Sequence, residues 1–468
     1  MILDPQRSFG EVMFGRAQLG DRRRTQRLVA LTDQLCKHPG GSLPEKFKSP
    51  KDLKALYRLC DRPEVTHEAL LTSIRQAVLD DVATRDEDTI LILHDASELD
   101  YSTHKSLAGK IGQVGRGFKH GYICHNSLAV TAAGREVLGL VGQILHRRVR
   151  APKNEALPER RARQSRESRL WLLGTQGLPA DKRLVDVADQ GADTFEFLEH
   201  EVRSGRRFVI RAHHARKANV GHAVAAKSTV QHCARSQPAS GGRTLKVTAQ
   251  PRKGRRRARP ARWSHLLISA TPLLVHPPHA KHGDHGRAPL PMWVVRVWEP
   301  HPPKNADAIE WLLLTNEPVA DLADAERVIG WYQTRWVIEE LHKAMKTGCQ
   351  VEQMQFTDPE RLEPAIVLLT TVATTLLNLR AASQLPDAHT RAANTLIDSA
   401  YVEVLSAWRY GAVKSLTVHE FFFALARLGG HQNRRHDKRP GWLILWRGWT
   451  TLQAMLAGTE INRGRKCG

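Results

Sequence analysis

Cysteine is scarce in this 468-residue chain, and its spacing excludes two kinds of scaffold. The six cysteines stand singly, with no CxxC pair. A chain of this length can bury a core without disulfide bonds, and paired cysteines are the usual sign of structural zinc. We therefore predict a protein of a reducing compartment, with neither a disulfide framework nor a structural zinc site.

Long hydrophobic runs are also missing. The first residues, MILDPQRSFGEV, contain no apolar signal region. The longest apolar run, AIVLLTTVATTLLNL at residues 365–379, is too short and too rich in threonine to span a bilayer. It predicts a buried helix, and we expect a cytoplasmic protein without a membrane partner.

Acidic residues are outnumbered. The chain has 48 Asp and Glu against 70 Lys and Arg, which gives a formal net charge of +22. Apolar residues make up 41% of the chain, enough for a folded core. Such an excess of positive charge on a folded chain favours a polyanionic partner, most often nucleic acid. Charge alone leaves ribosomal and membrane-surface roles open.

The order of sequence patterns predicts an α/β core between two helical regions. Residues 1–75 have helical patterns, residues 76–375 alternate strands and helices, and residues 376–468 are helical again. Within the core, residues from about 213 to 308 form a β-rich insertion with a basic loop. The amino-terminal helix is predicted to begin after Asp21, to bury a leucine seam and to end at Gly40-Gly41.

Two acidic residues are predicted to lie at the ends of buried strands. Residues 90–93 form an apolar run that we expect to end at Asp95, and RLVDVAD ends at Asp189. With Glu339 from a later helix, three carboxylates can converge at the sheet edge where α/β sites open. This donor set suits Mg²⁺ or Mn²⁺. Two such ions about 3.5–4 Å apart can drive phosphodiester displacement.

Each acid also has a purely structural interpretation. Asp95 can cap its turn, which would leave Glu98 or Asp100 as the ligand. Asp193, close to the second acid, is better explained as the N-cap of the helix that follows. Glu339 can form an exposed ion pair with Arg335 four residues earlier.

The stretch WYQTRWVIEELHKAMKTG, residues 331–348, predicts one long amphipathic helix. At about 100° per residue, Tyr332, Arg335, Glu339 and Lys346 fall within roughly 60° of one another. Apolar residues occupy the opposite side: Val337, Ile338, Leu341, Ala344 and Met345. A solvated face is the ordinary explanation of such a polar stripe.

The Tyr-x₂-Arg-x₃-Glu-x₆-Lys spacing of this stretch resembles the signature of the DDE transposases of the insertion-sequence-four family, which includes the transposon-five transposase. HDASELDYS and VADQGADTFEFL resemble the first two acidic motifs of that family, and LGDRRRTQRLVALTDQLCK resembles its DNA-binding domain. The resemblance extends over nearly the whole chain, including GWLILWRGW near the end. It implies an RNase H-like catalytic core, an amino-terminal domain that binds transposon ends, and a carboxy-terminal dimerisation domain.

The resemblance also implies a role for individual residues. Asp95, Asp189 and Glu339 would be the catalytic, metal-binding triad for two Mg²⁺ ions, with Mn²⁺ as a substitute. Trp311 would stack on a flipped-out base, although a plain core position is its structural alternative. The other residues expected to contact DNA are Tyr332, Arg335, Lys346, Arg211, Arg23, Arg24, Arg27 and Lys37.

The implied activity is cut-and-paste transposition through a DNA hairpin, by a homodimer that pairs two transposon ends on double-stranded DNA. No small-molecule substrate is expected. Two alternatives stay open: a catalytically silent DNA-binding inhibitor and a structure-selective nuclease on the same fold. One motif departs from the family, which commonly has Asp-Arg-Glu-Ala-Asp where this chain has Asp189-Gln-Gly-Ala-Asp193.

Overall fold

The computed structural model describes residues 7–47, 49–149, 152, 154–221, 228–247, 249, 260–279, 285–304, 306–435 and 437–465. Most of the predicted basic loop near residue 255 lies outside these ranges. The α-helices are α1 Phe9–Phe14, α2 Arg22–Lys37, α3 Leu43–Lys46, α4 Pro50–Cys60, α5 His67–Ala83, α6 Leu157–Ala162, α7 Leu170–Gln176, α8 Phe195–Arg203, α9 Val230–Arg235, α10 Leu322–Thr334, α11 Trp336–Lys343, α12 Pro359–Ala382, α13 Ser399–Tyr410, α14 Val418–Leu428 and α15 Trp442–Arg465.

The strands belong to a mixed sheet. They are β1 Ile90–Asp100, β2 Gly112–Gln113, β3 His120–Thr131, β4 Val137–His146, β5 Leu184–Ala188, β6 Arg207–Arg211, β7 Lys217–Val220, β8 Ser228–Thr229, β9 Gly241–Val247, β10 Arg262–Val275, β11 Leu290–Trp298 and β12 Glu310–Thr315. The predicted α/β class is therefore confirmed.

The chain divides into two compact units. The first unit comprises residues 1–86, 96–147 and 337–468, and the second comprises residues 87–95 and 148–336. The predicted domain boundaries at residues 75 and 375 follow the sequence and not these spatial units, and they stay predictions.

The second unit contains the parallel part of the sheet. The first half of β1 pairs in parallel with β5, and β5 pairs in parallel with β6. Antiparallel strands continue the sheet through β12, β11 and β10. The β-rich character predicted for residues 213–308 is observed where they are described, and their strands extend this same sheet. Its core includes Phe197, Phe208 and Ile210, all fully buried.

The first unit contains the predicted hairpin and most of the helices. Strands β3 and β4 pair antiparallel around the turn near Gly134, and Asp21 caps α2 by accepting a hydrogen bond from the Arg23 amide at 2.8 Å. Helix α2 buries its leucine seam but ends at Lys37, three residues before the predicted glycine pair. Helices α13 to α15 share a core around Leu405 and Phe421.

Helix α12 contains the apolar run at residues 365–379. It is the one helix, within the described ranges, that is long and apolar enough to cross a membrane, and most of its apolar window is buried inside the protein. Four threonines lie along it, and Thr370 and Thr371 donate to the carbonyls of Ile366 and Val367. These features are those of the core helix that the sequence predicted.

Two further predicted element boundaries are wrong. Strand β1 does not end at Asp95 but continues to Asp100, because its second half changes partner and runs beside β3, where the Leu99 carbonyl lies against Gly121. The helix predicted for residues 331–348 is interrupted at Arg335, whose amide bonds to Tyr332 three residues back and not four. It ends in a π-helical turn, Ala344–Gly348, a feature that is frequent at functional sites.

Candidate active site

Asp95 and Asp189 lie where the parallel pairing between the neighbouring strands β1 and β5 ends. In the β1–β5 register the last paired residues are His94 and Ala188, so the two aspartates are the next residue of each strand. Adjacent strands are about 4.8 Å apart. Both side chains are partly buried. The register therefore places the two residues side by side, and the convergence of their carboxylates on one site stays a prediction.

A guanidinium group lies against the first carboxylate. Arg335 Nη1 is 3.3 Å from Asp95 Oδ2, and both side chains are about 85% buried, with exposed fractions of 15% and 16%. Arg335 thus forms a buried ion pair with Asp95, and the exposed Arg335–Glu339 pair considered from the sequence stays a prediction. A charged pair at this depth holds both side chains in place.

Tyr332 interacts electrostatically with Asp189, with Arg335 and with a second arginine, Arg211. Burial raises the pKa of the Tyr332 phenol, Asp189 raises it further, and Arg335 and Arg211 act in the opposite direction. Arg211 itself donates to the Glu310 carbonyl at 3.2 Å. All of these groups belong to the second unit, and Tyr332 is only 7% exposed. The polar stripe is therefore not a solvated surface at this end.

Trp311 contacts the same tyrosine. The two rings meet edge to face, with 5.4 Å between their centroids, and the Trp311 side chain is partly exposed. Strand β12 pairs Trp311 with Val297. A half-exposed ring beside a buried phenol is compatible with stacking on a base as well as with packing.

The departure in the second acidic motif has a steric explanation. Asp189 Oδ1 accepts a hydrogen bond from the Gly191 amide at 2.8 Å, which fixes the carboxylate. A Cβ atom at position 191 would lie 2.3 Å from Cζ2 of Trp171. The glutamate common in the family therefore does not fit at position 191 while Trp171 occupies this place.

Asp193 has a role that the sequence did not predict. The N-cap of α8 is Thr194 and not Asp193. The buried Asp193 carboxylate instead accepts hydrogen bonds from the amides of His213 and His214, at 2.6 and 2.8 Å, and from Arg216. It fixes the loop that leaves β6 just after Arg211. The sequence could not indicate this role, because it depends on contacts with a separate loop that contains His213, His214 and Arg216.

A buried carboxylate ties together the three parallel strands behind the site. Asp186 on β5 accepts hydrogen bonds from His94 Nε2 at 2.8 Å and from Arg206 Nε and Nη2 at 2.8 and 2.6 Å. His94 belongs to β1 and Arg206 directly precedes β6. In the same three strands, Asp95, Asp189 and Arg211 are the residues that directly follow the parallel pairing. Sequence reasoning missed this network, although a charged residue inside an apolar strand was its one visible signal.

Glu339 and Lys346 belong to the first unit. Glu339 is half-buried on α11, and Lys346 lies in the π-helical turn with its Nζ 3.2 Å from Glu352. Opposite them, Ile338, Leu341, Ala344 and Met345 are buried as predicted, whereas Val337 is only half-buried. Across the described ranges, no cluster of three or more His, Cys, Asp or Glu side chains is arranged to hold a metal ion. The metal triad therefore stays a prediction.

The open alternatives for the first ligand are engaged elsewhere. Glu98 accepts from the Gly115 amide at 3.0 Å, and Asp100 pairs with Lys119 at 2.8 Å. Neither carboxylate borders β5. Of the acids near the end of this strand, Asp95 alone lies beside Asp189 in the register of the described strands.

The basic residues of α2 differ in their surroundings. Arg23 and Lys37 are exposed. Arg24 pairs with Glu64 at 2.7 Å, and Arg27 lies 3.7 Å from Asp52. The exposed Arg23 is therefore the member of the basic cluster that can most readily contact an anion.

Two family models match the chain. Residues 6–65 match a transposase DNA-binding domain, and residues 147–376 match a transposase DDE domain. The chain carries the two domains of a DDE transposase. Its predicted identity as a DNA-binding enzyme of the DDE class is thereby confirmed, with DNA as its partner.

The DDE match includes Asp189 and Glu339 but begins after Asp95. DDE domains generally act with divalent metal ions, and the donors of this transposase fit such an ion: two carboxylates on adjacent strands, with hard oxygen atoms. One of them is balanced by Arg335, so an ion bound there would have to share Asp95 with this guanidinium.

Proposed function

We propose that the protein is an active cut-and-paste transposase. The observation that supports the proposal is the pair Asp95 and Asp189, side by side where the parallel pairing of β1 and β5 ends, with Arg335 and Tyr332 next to them. Glu339 is proposed to complete the triad. The resemblance to the insertion-sequence-four family supports the finer parts of the mechanism, including the hairpin and the homodimer that pairs two ends.

The proposed reaction alternates two hydrolyses, each of which breaks a phosphodiester bond, with two transesterifications, which conserve the number of these bonds. Water attacks a phosphorus atom at the transposon end, a P–O bond forms, and the bond to the 3′ oxygen breaks to leave a 3′-OH. This hydroxyl attacks the opposite strand, so that one P–O bond forms as another breaks and the end closes as a hairpin. A second water opens the hairpin, and the 3′-OH then joins to target DNA by the same exchange.

The residues of this chain supply the setting for these steps. Bound Mg²⁺ or Mn²⁺, held by Asp95, Asp189 and Glu339, would activate the attacking oxygen and stabilise the leaving oxygen. Arg335 and Lys346 are proposed to bind the phosphates beside the cut, and Tyr332 to orient them. Trp311 is proposed to receive the base that leaves the stack when the hairpin strains the DNA end.

The experiment uses the inverted repeats that flank the gene as labelled DNA ends. Purified protein is incubated with them in Mg²⁺ beside Glu339→Gln, and the products are resolved on a denaturing gel. Nicks and hairpins from the wild type alone are expected. Binding without cleavage, in Mn²⁺ as well, would identify a silent DNA-binding protein, and cutting of any duplex would identify a nuclease.

A further inference from the structure

The hairpin between β2 and β3 exposes one aromatic side chain completely. Phe118 has a relative exposure of 102%, the largest among the exposed apolar side chains of the described residues. Its neighbours Arg116 and Lys119 are exposed as well. The Phe118 side chain is not packed in the core, so it does not stabilise the fold by burial.

The backbone of this hairpin is held in a defined shape. The Val114 amide donates to the Lys119 carbonyl at 3.1 Å, and the Gly115 amide donates to Glu98 Oε1 at 3.0 Å. Gly115 and Gly117 have φ values of +57° and +78°, which glycine adopts at little cost. The tip is thus a braced turn that presents Phe118 outward.

A chain of contacts joins the hairpin to Lys346 within the first unit. Lys119 Nζ lies 2.8 Å from Asp100 Oδ2, and the Asp100 amide donates to Glu352 Oε1 at 2.8 Å. Glu352 in turn pairs with Lys346 at 3.2 Å. Burial raises the pKa of Asp100, but the hydrogen bonds from Lys119 and Ser102 outweigh it and lower the pKa to about 2. These contacts therefore connect the hairpin to Lys346, which is proposed to bind a DNA phosphate.

We propose that this hairpin binds target DNA, with Phe118 against the bases and Arg116 and Lys119 against the backbone phosphates. The inference rests on the proposed function, which requires a target duplex. The charge of the tip is complementary to DNA, and an aromatic side chain contacts or wedges between bases whatever their sequence. Target sites vary in sequence, whereas the transposon ends have a domain of their own in residues 6–65.

The test separates cleavage from joining. Precut transposon ends with a free 3′-OH are incubated with supercoiled plasmid in Mg²⁺, and strand transfer is compared among wild type, Phe118→Ala and Phe118→Trp. Uncut ends measure cleavage in parallel. We expect Phe118→Ala to slow strand transfer by about tenfold, the scale of one aromatic–base contact. Phe118→Trp should retain the rate, and cleavage of uncut ends should be unchanged.

A second readout does not depend on activity. A photo-crosslinking amino acid at position 118 should crosslink to the plasmid in complexes that already hold precut ends. Val220→Ala, which trims a side chain that is 44% exposed on β7, serves as the matched control and should change neither reaction. Because Phe118 is fully exposed, Phe118→Ala should leave the thermal midpoint within about 1 °C.

Each outcome decides the question. Unchanged strand transfer by Phe118→Ala, or crosslinks to the transposon end instead of the plasmid, would overturn the assignment to target DNA. If the wild type neither cuts nor joins, the proposed function itself fails, and this result is distinct from a wild type that joins normally beside an equally active Phe118→Ala.

Discussion

A single buried carboxylate organises the strands that carry the catalytic acids. Asp186 is fully buried and accepts hydrogen bonds from His94 and Arg206. Burial raises the pKa of Asp186, but these hydrogen bonds outweigh it and hold the pKa below its usual value. Removing one partner of such a group leaves an uncompensated buried charge, which costs about 3–5 kcal/mol. The network therefore limits the substitutions that the protein can accept at His94, Asp186 and Arg206.

Glu201 brings a second carboxyl group into this network. It lies fully buried on α8, with its Oε2 3.7 Å from Arg206 Nε. Burial raises the pKa of Glu201 well above its usual value, and the nearby Asp186 adds to the rise. The folded state thus favours the neutral acid, while the unfolded chain loses this proton near pH 4.3.

The pH dependence of stability follows from that difference. Above about pH 4.3 the unfolded state releases the proton more readily, so this group lowers the free energy of unfolding as the pH rises, by at most about 1.4 kcal/mol per unit. Glu201→Gln removes the titration. We expect the urea midpoint of this variant, relative to wild type, to be higher at pH 8 than at pH 5.

Glu199→Gln on the same helix is the matched control. The Glu199 carboxylate has partners, the Gly286 amide and Arg203 at 2.7 Å, so its replacement should lower stability at both pH values. An identical shift for Glu201→Gln at pH 5 and pH 8 would show that Glu201 is ionised in the folded protein.

At the scale of elements, contact between β12 and α10 brings Trp311 to Tyr332. If Trp311 receives a flipped base, Trp311→Ala should permit the first nick but slow hairpin formation by about tenfold or more, since one stacked base contributes about 1–3 kcal/mol. The measurement is the ratio of nicked to hairpin product on uncut ends over time.

Trp311→Phe separates stacking from packing. A smaller aromatic ring should restore much of the hairpin rate. A variant that loses nicking and hairpin formation equally, together with a lowered thermal midpoint, would assign Trp311 to the core.

The elements differ in how well the sequence could predict them. Strand β5 and helix α12 each contain a mostly apolar, buried run, so their positions follow largely from burial. The end of β1 could not be predicted, because its second half is held by β3, some twenty residues later in the chain. Nor could the sequence show that Arg335, where the helix breaks, pairs with Asp95, which is 240 residues away in sequence.

The candidate site likewise has features that the sequence predicts and features that it does not. The proximity of Asp95 and Asp189 follows from two short apolar strands with an acid at each end. The groups behind and around these acids do not follow, because Asp186, Arg206 and Trp171 reach their places through packing between distant segments. The glycine at position 191 is explained by the Trp171 ring, which leaves no room for a Cβ atom there.

At the scale of the whole molecule, the formal charge of +22 predicts that DNA binding depends steeply on salt. Arg23 is exposed at the start of α2 within the DNA-binding match. Its charge opposes the helix dipole there, so Arg23→Gln should cost no stability. If Arg23 contacts one phosphate, the plot of log affinity against log salt should become shallower by about 0.9, and affinity should fall at low salt. Filter binding to labelled ends between 50 and 300 mM salt measures both, a range of about sixfold that resolves this slope.

The control is Arg409→Gln, which replaces an exposed arginine on α13. It removes the same charge outside that match and should leave the slope unchanged. Equal slopes for the two variants would mean that net charge, and not a contact made by α2, sets the affinity.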